Sequence, residues 1–209
     1  MITVVDYGMG NLHSVVKALE LYSDLDVKIS REPSSLSKSR AVVMPGDGAF
    51  GMAMNNLKEG GWIDPLKEYI NSGGFFLGVC LGYQLLFDSS EEFGKYAGLG
   101  IIPGRVVRFP EGGLKVPHMG WNRVRAGADT RLFKDIENEA FFYFAHSYYA
   151  QPVDSSCMAA ETEYGMQFAS SVQKNNIFGV QFHPEKSGRS GLCLLRNYCR
   201  YCEEQKYSG

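Results

Sequence analysis

Short apolar runs alternate along the first half of the chain with segments in which apolar residues recur at helical spacing. Between residues 11 and 22, for example, Leu12, Val15 and Leu19 fall on one side of a helix. Strands that alternate with helices are typical of βαβ units, so this half predicts a parallel sheet. The predicted strands are Ile2–Asp6, Asp26–Ile29, Ala41–Met44 and Phe75–Val79, and the predicted helices are Asn11–Tyr22, Ala49–Leu57, Trp62–Asn71 and one that begins at Leu81.

The second half predicts shorter strands and a closing helix. The strands are Gly104–Phe109, Asn122–Arg125, Phe141–Tyr149, Met166–Gln173 and Ile177–His183, and the helix is Gly188–Glu203. Lys174-Asn175-Asn176 between the last two strands is typical of a hairpin turn, so antiparallel strands are expected to extend the parallel sheet. No repeat or linker interrupts the pattern. We therefore expect one α/β domain over residues 1–209.

Composition and charge argue against several classes of function. The 209 residues carry a formal net charge of −2 and a pI near 6.1, which gives no basic surface for nucleic acid. No apolar run reaches the ~20 residues that cross a bilayer. The first residues, MITVVDYG, lack the basic flank and cleavage site of a signal peptide. We expect a soluble, cytoplasmic protein that binds neither nucleic acid nor membrane.

Cysteine and histidine spacing predicts no disulfide framework, metal site or cofactor. The five cysteines are an odd number without a secretory context. Cys199 and Cys202 form a CxxC pair, but the pair lies late in a helical segment and favours a structural role. Metal-ligand spacing is absent from the histidines, which are His13, His118, His146 and His183.

The glycine-rich turn after the first strand gives weak support to a dinucleotide site. Gly8-Met9-Gly10-Asn11 begins like the GxGxxG fingerprint, yet His13 stands where the third glycine would be. The turn also opens a predicted helix, and asparagine is favoured at helix N-caps. We interpret Asn11 as an N-cap.

Cys80 occupies the centre of a GxCxG motif between a buried strand and a helix. Gly78 and Gly82 suit the sharp turn of a nucleophile elbow, where the equivalent motif carries serine. A thiolate at a helix N-terminus is stabilised by the dipole and the unpaired N–H groups. A small buried thiol beside two turn glycines explains the same motif, so the motif alone leaves both interpretations open.

His183 and Glu185 provide the base that a thiol nucleophile needs. Pro184 disfavours helical geometry at His183, and in an extended chain residues two apart project to the same face. The carboxylate can then orient the imidazole while the imidazole serves the thiol. His183 alone is also compatible with a structural histidine at a strand end. Combined with GxCxG, the pair favours catalysis.

Two segments are candidates for donors to an oxyanion. The Leu81 N–H follows the nucleophile at the elbow. The turn Pro45-Gly46-Asp47-Gly48 contains glycines that allow backbone amides to face inward. An ordinary strand-to-helix turn explains the second segment equally well.

Three motifs together resemble the class I, triad-type glutamine amidotransferases over nearly the whole chain: GVCLGYQ, VQFHPEKSG and VVMPGDG. The further stretches VVDYGMGN, GIIPGRVVRF, VPHMGWN and YFAHSYY are similar to the glutaminase subunits of imidazole glycerol phosphate synthases. The resemblance implies a flavodoxin-like α/β fold with a mainly parallel sheet and helices on both faces. It also implies hydrolysis of glutamine to glutamate and ammonia.

The resemblance assigns roles to individual residues. It implies Cys80 as the nucleophile, His183 as the acid and base, and Glu185 as its orienting partner. The expected oxyanion donors are Leu81 and the loop of Gly46, Asp47 and Gly48, and the expected substrate contacts are Gln84, Glu92, Ser147 and Tyr148. Glu91 is an alternative to Glu92. The family usually has valine in place of Asp47, and the sequence leaves open whether this carboxylate points toward the oxyanion or away from it.

The resemblance also implies a partner. Ammonia in neutral water is mostly ammonium, so a donor of ammonia needs an adjacent acceptor site, and the elements above leave no segment for one. The implied partner is a TIM-barrel cyclase in a heterodimer of histidine biosynthesis. The segment Pro117–Asn122 is by itself compatible with a loop around a core tryptophan. The resemblance places His118, Met119, Trp121, Asn122 and Lys186 at the interface.

Two other functions remain compatible with the sequence. One is an ammonia donor for a different acceptor, such as an amidated surface sugar, which the unusual Asp47 keeps open. The other is a catalytically silent module that binds a partner, which the presence of Cys80, His183 and Glu185 argues against.

Overall fold

The structure, a computed structural model, describes residues 1–110, 112, 115–128 and 130–204. Within these ranges the strands join into a 13-stranded sheet. The strands are β1 (Ile2–Val5), β2 (Val27–Ser30), β3 (Ala41–Met44), β4 (Phe75–Val79), β5 (Phe87–Ser90), β6 (Tyr96–Ala97), β7 (Ile102–Arg108), β8 (His118–Ala126), β9 (Ala140–His146), β10 (Tyr148–Pro152), β11 (Met158–Glu163), β12 (Gln167–Lys174) and β13 (Ile177–Val180). The α-helices are α1 (Leu12–Glu20), α2 (Phe50–Glu59), α3 (Ile63–Asn71), α4 (Leu81–Gln84) and α5 (Gly188–Glu204).

The parallel part of the sheet has the order β2-β1-β3-β4-β13. Strands β1, β3, β4 and β13 are buried throughout, as expected for parallel strands covered on both faces. Helices α1 and α5 pack on one face, and α2 and α3 pack on the other. The predicted α/β fold with helices on both faces is confirmed. The prediction of a single domain over residues 1–209 stays a prediction.

Antiparallel strands extend the sheet beyond β13. Strands β12, β10 and β7 follow in order, and β11, β8 and β9 branch from β12. The predicted hairpin between β12 and β13 is present, with Lys174 paired to Ile177. The predicted N-cap is also present, because the side chain of Asn11 accepts a hydrogen bond from the Ser14 N–H at 3.3 Å.

The predicted helix that begins at Leu81 is present and is only four residues long, because the chain turns after Gln84 into β5. One prediction about the elements was wrong. The single strand predicted over 141–149 is two strands, β9 and β10, which break at Ser147. Strands β5, β6 and β11 were not predicted. Strand β11 has the sequence MAAETE, and its pairing with two neighbours overrides a weak strand propensity.

Tight packing of α4 against β3 fixes the turn after β4. A Cβ atom on Gly82 would overlap the carbonyl oxygen of Met44. A Cβ atom on Gly78 would lie 2.5 Å from the carbonyl oxygen of Gly82. The two glycines therefore allow backbone to pack directly on backbone at the GxCxG turn.

Gly82→Ala should destabilise the protein even though alanine is the better helix former. The added methyl has no room beside Met44, and overpacking costs about 1–3 kcal/mol. Urea denaturation measures the effect. Gly127→Ala is the matched control, since its nearest contacts would be an ordinary 3.6 Å. Equal stabilities of the two variants would contradict the proposed packing.

Candidate active site

Cys80 lies in a strained turn at the end of β4. Its backbone has φ 54° and ψ −105°, a conformation that a non-glycine residue adopts at a cost of about 1–3 kcal/mol. The Cys80 N–H donates a hydrogen bond to the Val180 carbonyl of β13 at 2.8 Å. The side chain is buried and lines a small pocket with Gln84 and Glu92. The strain and the pocket together support the interpretation as a nucleophile over that of a simple core thiol.

His183 and Glu185 form a buried pair next to Cys80. The Nδ1 atom of His183 lies 2.9 Å from Oε1 of Glu185, and both side chains are less than a tenth exposed. His183 is also close enough to Cys80 for the two groups to interact electrostatically. The three side chains therefore lie in the order that a nucleophile, a base and an orienting carboxylate would need.

The electrostatics favour a charged imidazole at His183. Burial by itself lowers the pKa of His183, but the negative charges of Cys80 and Glu185 and the hydrogen bonds to them outweigh burial and raise this pKa to about 10. At neutral pH His183 therefore carries a proton that it can donate to a leaving group.

The Leu81 N–H is engaged by the chain itself. It donates a hydrogen bond to the Gly46 carbonyl at 3.3 Å, so an oxyanion cannot use it until this carbonyl moves. The loop that contains Gly46 is anchored by Tyr7, whose hydroxyl donates to the Pro45 carbonyl at 2.8 Å. A Cβ atom on Gly46 would overlap the same Tyr7 hydroxyl.

The side chain of Asp47 is held by the loop between β1 and α1. Its Oδ1 accepts a hydrogen bond from the Gly10 N–H at 3.1 Å. Asp47 is exposed, and it lines the pocket together with Gly48 and Cys80. In this conformation one carboxylate oxygen of Asp47 is bonded to a backbone amide across the loop, while the residue still lines the pocket.

Glu92, and not its neighbour Glu91, points into the pocket. Its Oε2 accepts a hydrogen bond from the Phe50 N–H at 2.6 Å and so caps the first turn of α2. Burial raises the pKa of Glu92, and the bond from Phe50 opposes that rise. Glu91 is exposed and lies 3.8 Å from Arg105.

Gln84 is fixed by two acceptors. Its Nε2 donates to the Tyr148 carbonyl at 2.9 Å and to Oε1 of Gln181 at 3.0 Å. The Nε2 of Gln181 in turn lies 3.8 Å from Sγ of Cys80. Ser147 and Tyr148 line the same pocket at the break between β9 and β10.

Sequence reasoning missed Tyr7, His146 and Gln181. Gln181 lies two residues before His183 in an extended segment, so period-2 spacing places both side chains on one face and could have identified it. His146 lines the pocket but has no motif of its own beyond YFAHSYY. Tyr7 acts through a long-range contact that no local pattern encodes.

The residues expected at a partner interface differ in their exposure to solvent. Met119 is 64% exposed and Trp121 56% exposed, and Lys186 is exposed as well. With this exposure Trp121 is not the core residue that a structural interpretation predicts, although its ring contacts that of Tyr143 edge-on. His118 is only 3% exposed and lines a groove, and its place at the partner interface stays a prediction. Asn122 is partly buried.

The remaining cysteines and histidines form no second centre in the described ranges. Cys199 and Cys202 are free and fully buried, and burial raises the pKa of Cys199 to about 12. Within the same ranges, no cluster of three potential metal ligands occurs, and no helix is long and apolar enough to cross a membrane.

Comparison with known proteins identifies relatives over nearly the full length. The family described as glutamine amidotransferase class-I matches residues 3–199. The imidazole glycerol phosphate synthase subunit HisH of Desulfitobacterium hafniense is 47% identical over 204 residues, which cover 98% of this chain and 96% of that protein. The subunit HisH of Moorella thermoacetica is 48% identical over 197 residues, covering 94% of this chain and 93% of that protein.

The fold is also found in a solved structure of low sequence identity. A glutamine amidotransferase from Thermotoga maritima superimposes with a TM-score of 0.68 at 14% identity, covering 98% of each chain. At this identity the similarity concerns the fold alone.

Glu185→Gln should reduce the reactivity of Cys80 although Cys80 and His183 are both retained. The neutral amide removes a charge that helps to raise the pKa of His183, so the imidazole assists the thiol less. We expect alkylation of Cys80 by iodoacetamide at pH 7 to slow roughly tenfold, the effect of one pKa unit. Peptide mass spectrometry distinguishes Cys80 from the other thiols. Glu91→Gln is the control, and an equal loss in both variants would contradict the assigned role.

Proposed function

The chain belongs to the class-I glutamine amidotransferase family, and from that membership we propose that it is the glutaminase subunit of an imidazole glycerol phosphate synthase. It hydrolyses L-glutamine to glutamate and ammonia and passes the ammonia to a cyclase subunit in histidine biosynthesis. The observation that supports the proposal is the buried His183–Glu185 pair, which interacts with Cys80 beside a pocket.

The proposed reaction is an acyl transfer in two halves. The Cys80 thiolate attacks the γ-carboxamide carbon of glutamine, and the bond from carbon to nitrogen breaks as His183 gives its proton to the departing ammonia. Water, deprotonated by His183, then attacks the glutamyl thioester. The bond from carbon to sulfur breaks, which regenerates the thiolate and the protonated imidazole. Glu185 stabilises the imidazolium at both stages.

We assign the substrate contacts by their position around the pocket. Glu92 has one carboxylate oxygen engaged with Phe50, which leaves the other for the α-amino group of glutamine. Gln84 has both Nε2 hydrogens engaged, which leaves its Oε1 for the substrate. Ser147 and Tyr148 supply backbone at the α-carboxylate end.

The resting geometry of the oxyanion loop is closed. The Leu81 N–H is bonded to Gly46, and the pocket volume is about 70 Å³, well below the ~300–1,000 Å³ of typical ligand sites. Glutamine hydrolysis therefore requires this loop to move. Loss of one oxyanion donor costs on the order of 10²–10³ in rate, so an acceptor-loaded partner that freed this donor would switch the reaction on strongly.

The proposed partner is a TIM-barrel cyclase that docks on Met119, Trp121 and Lys186. Trp121 pairs with Tyr143 across β8 and β9, and the Tyr143 carbonyl accepts a hydrogen bond from the His183 N–H at 2.9 Å. This surface is therefore one strand away from the catalytic histidine. A cyclase on it would receive ammonia close to where it is released.

Glutamate release with and without the cyclase tests the function. The purified chain is mixed with its cognate cyclase, glutamine and the nucleotide acceptor, and we expect strong stimulation by the acceptor. Cys80→Ser should abolish glutamate release and retain association with the cyclase. Active glutaminase without stimulation would favour an ammonia donor for another acceptor, and hydrolysis by the Cys80→Ser variant would rule out the nucleophile.

Asp47→Val should preserve or raise basal glutaminase activity. The substitution removes the bond to Gly10 and so loosens the loop, while the backbone amide of residue 47 is retained. Asp47→Asn is the control, because its amide oxygen can still accept from Gly10 without the charge. We expect it to resemble the parent in steady-state assays. A large loss in Asp47→Val would show that the carboxylate itself takes part in the reaction.

A further inference from the structure

Two histidine rings separate an outer groove from the glutamine pocket. The groove has a volume of about 590 Å³ and is lined by His118, Trp121 and Asn122. The pocket on the other side is lined by His146 and Cys80. The two rings meet at a distance of 2.9 Å between Nδ1 of His118 and Nε2 of His146. The mechanism above uses neither ring.

The pocket end fixes the tautomer of His146. Its Nδ1 lies 2.8 Å from the Tyr148 carbonyl oxygen, which can only accept a hydrogen bond. Nδ1 of His146 must therefore carry the proton, and Nε2 of the neutral ring is an acceptor. The proton between the two rings then belongs to Nδ1 of His118.

The hydrogen bonds at the groove end determine the tautomer of His118 independently, with the same result. The Arg123 N–H donates to Oδ1 of Asn122 at 2.7 Å, and Nδ2 of Asn122 donates to the Glu163 carbonyl at 2.9 Å. These two bonds fix the orientation of the amide, so Nδ2 faces Nε2 of His118 at 3.2 Å. Nε2 of His118 is therefore an acceptor, and its Nδ1 carries the proton.

Both rings are buried and neutral. His118 is stacked between Phe144 and Tyr164, with ring centroids 4.6 and 4.0 Å away. Burial lowers the pKa of His118 to about 4 and that of His146 to about 3. Two neutral rings share two protons, and all four ring nitrogens have a partner. The direction of every bond is thus determined.

The chain of bonds ends on the residues that surround glutamine. The Tyr148 carbonyl accepts from His146 and also from Nε2 of Gln84. The same Nε2 donates to Gln181, whose own amide reaches Sγ of Cys80 at 3.8 Å. A shift of the Tyr148 carbonyl therefore changes the direction of the Gln84 side chain.

We propose that His118 and His146 are positioning residues of a histidine relay, defined as Asn122, His118, His146 and the Tyr148 carbonyl. The relay holds Gln84 in the orientation that binds glutamine. This proposal rests on the proposed function. It adds that a molecule bound in the groove at Asn122 changes the affinity for glutamine through the relay. His118 has no contact with the substrate pocket, so its influence passes through His146.

The tautomers can be tested without any activity. Long-range ¹⁵N–¹H spectra of the unsubstituted protein at pH 7 should show His118 and His146 as neutral rings protonated at Nδ1. The His118→Phe, His13→Gln and His183→Gln variants assign three of the four histidine signals, and the fourth belongs to His146. An Nε2–H tautomer or an imidazolium at either position would overturn the relay.

Two substitutions of His118 separate the relay from packing. His118→Phe keeps a ring between Phe144 and Tyr164 but has no N–H, whereas His118→Asn loses the ring and keeps a donor near the position of Nδ1. In the complex with cyclase and acceptor, we expect His118→Phe to raise the KM for glutamine roughly threefold to tenfold with kcat little changed, the effect of one lost hydrogen bond. His118→Asn should restore most of the affinity.

The control is Tyr164→Phe, which removes the bond from Tyr164 to the Lys115 carbonyl and keeps the stack on His118. Its KM should equal that of the parent. A role in packing alone predicts the opposite order, with His118→Asn worse than His118→Phe, and that order or an unchanged KM in His118→Phe overturns the proposal. Absence of glutaminase activity in the unsubstituted complex would instead contradict the proposed function, and the tautomers would still decide the relay.

Discussion

Parallel pairing between β4 and β13 brings the two halves of the candidate active site together. The strands are in register from Ile177 with Phe76 to Val180 with Val79, and the next N–H of β4, that of Cys80, continues the ladder to the Val180 carbonyl. Carboxyl ends of adjacent parallel strands meet at one edge of the sheet. The thiol and the imidazole are therefore neighbours although they are about half the chain apart in sequence.

The sequence predicted most of the features that depend on residues close together along the chain. Buried apolar runs identified β3 and β4 to the residue, and the spacing of His183 and Glu185 predicted a pair that the structure places at 2.9 Å. The lengths of elements and the pairing of strands were harder to predict. Helix α4 ends after four residues, where the chain enters β5, and β11 forms from a segment of weak strand propensity.

Long-range contacts explain the rest of the difference. The orientation of Asp47 depends on Gly10, which lies 37 positions away, and the tautomers of His118 and His146 depend on atoms from four strands or loops. The exposure of individual residues was also not predicted from the sequence. At the start of β8, for example, His118 is buried and the adjacent Met119 is exposed. Such features follow from tertiary packing and leave no trace in a local pattern.

Glu92 serves two purposes at once, because one of its carboxylate oxygens closes the first turn of α2 and the other faces the pocket. A carboxylate near a helix N-terminus contributes about 0.3–1 kcal/mol. Any replacement of Glu92 therefore disturbs the end of a helix whose preceding residues form the proposed oxyanion loop. Inactivity of such a variant is ambiguous as a measure of substrate recognition, since ligand affinity and local helix order share the same side chain.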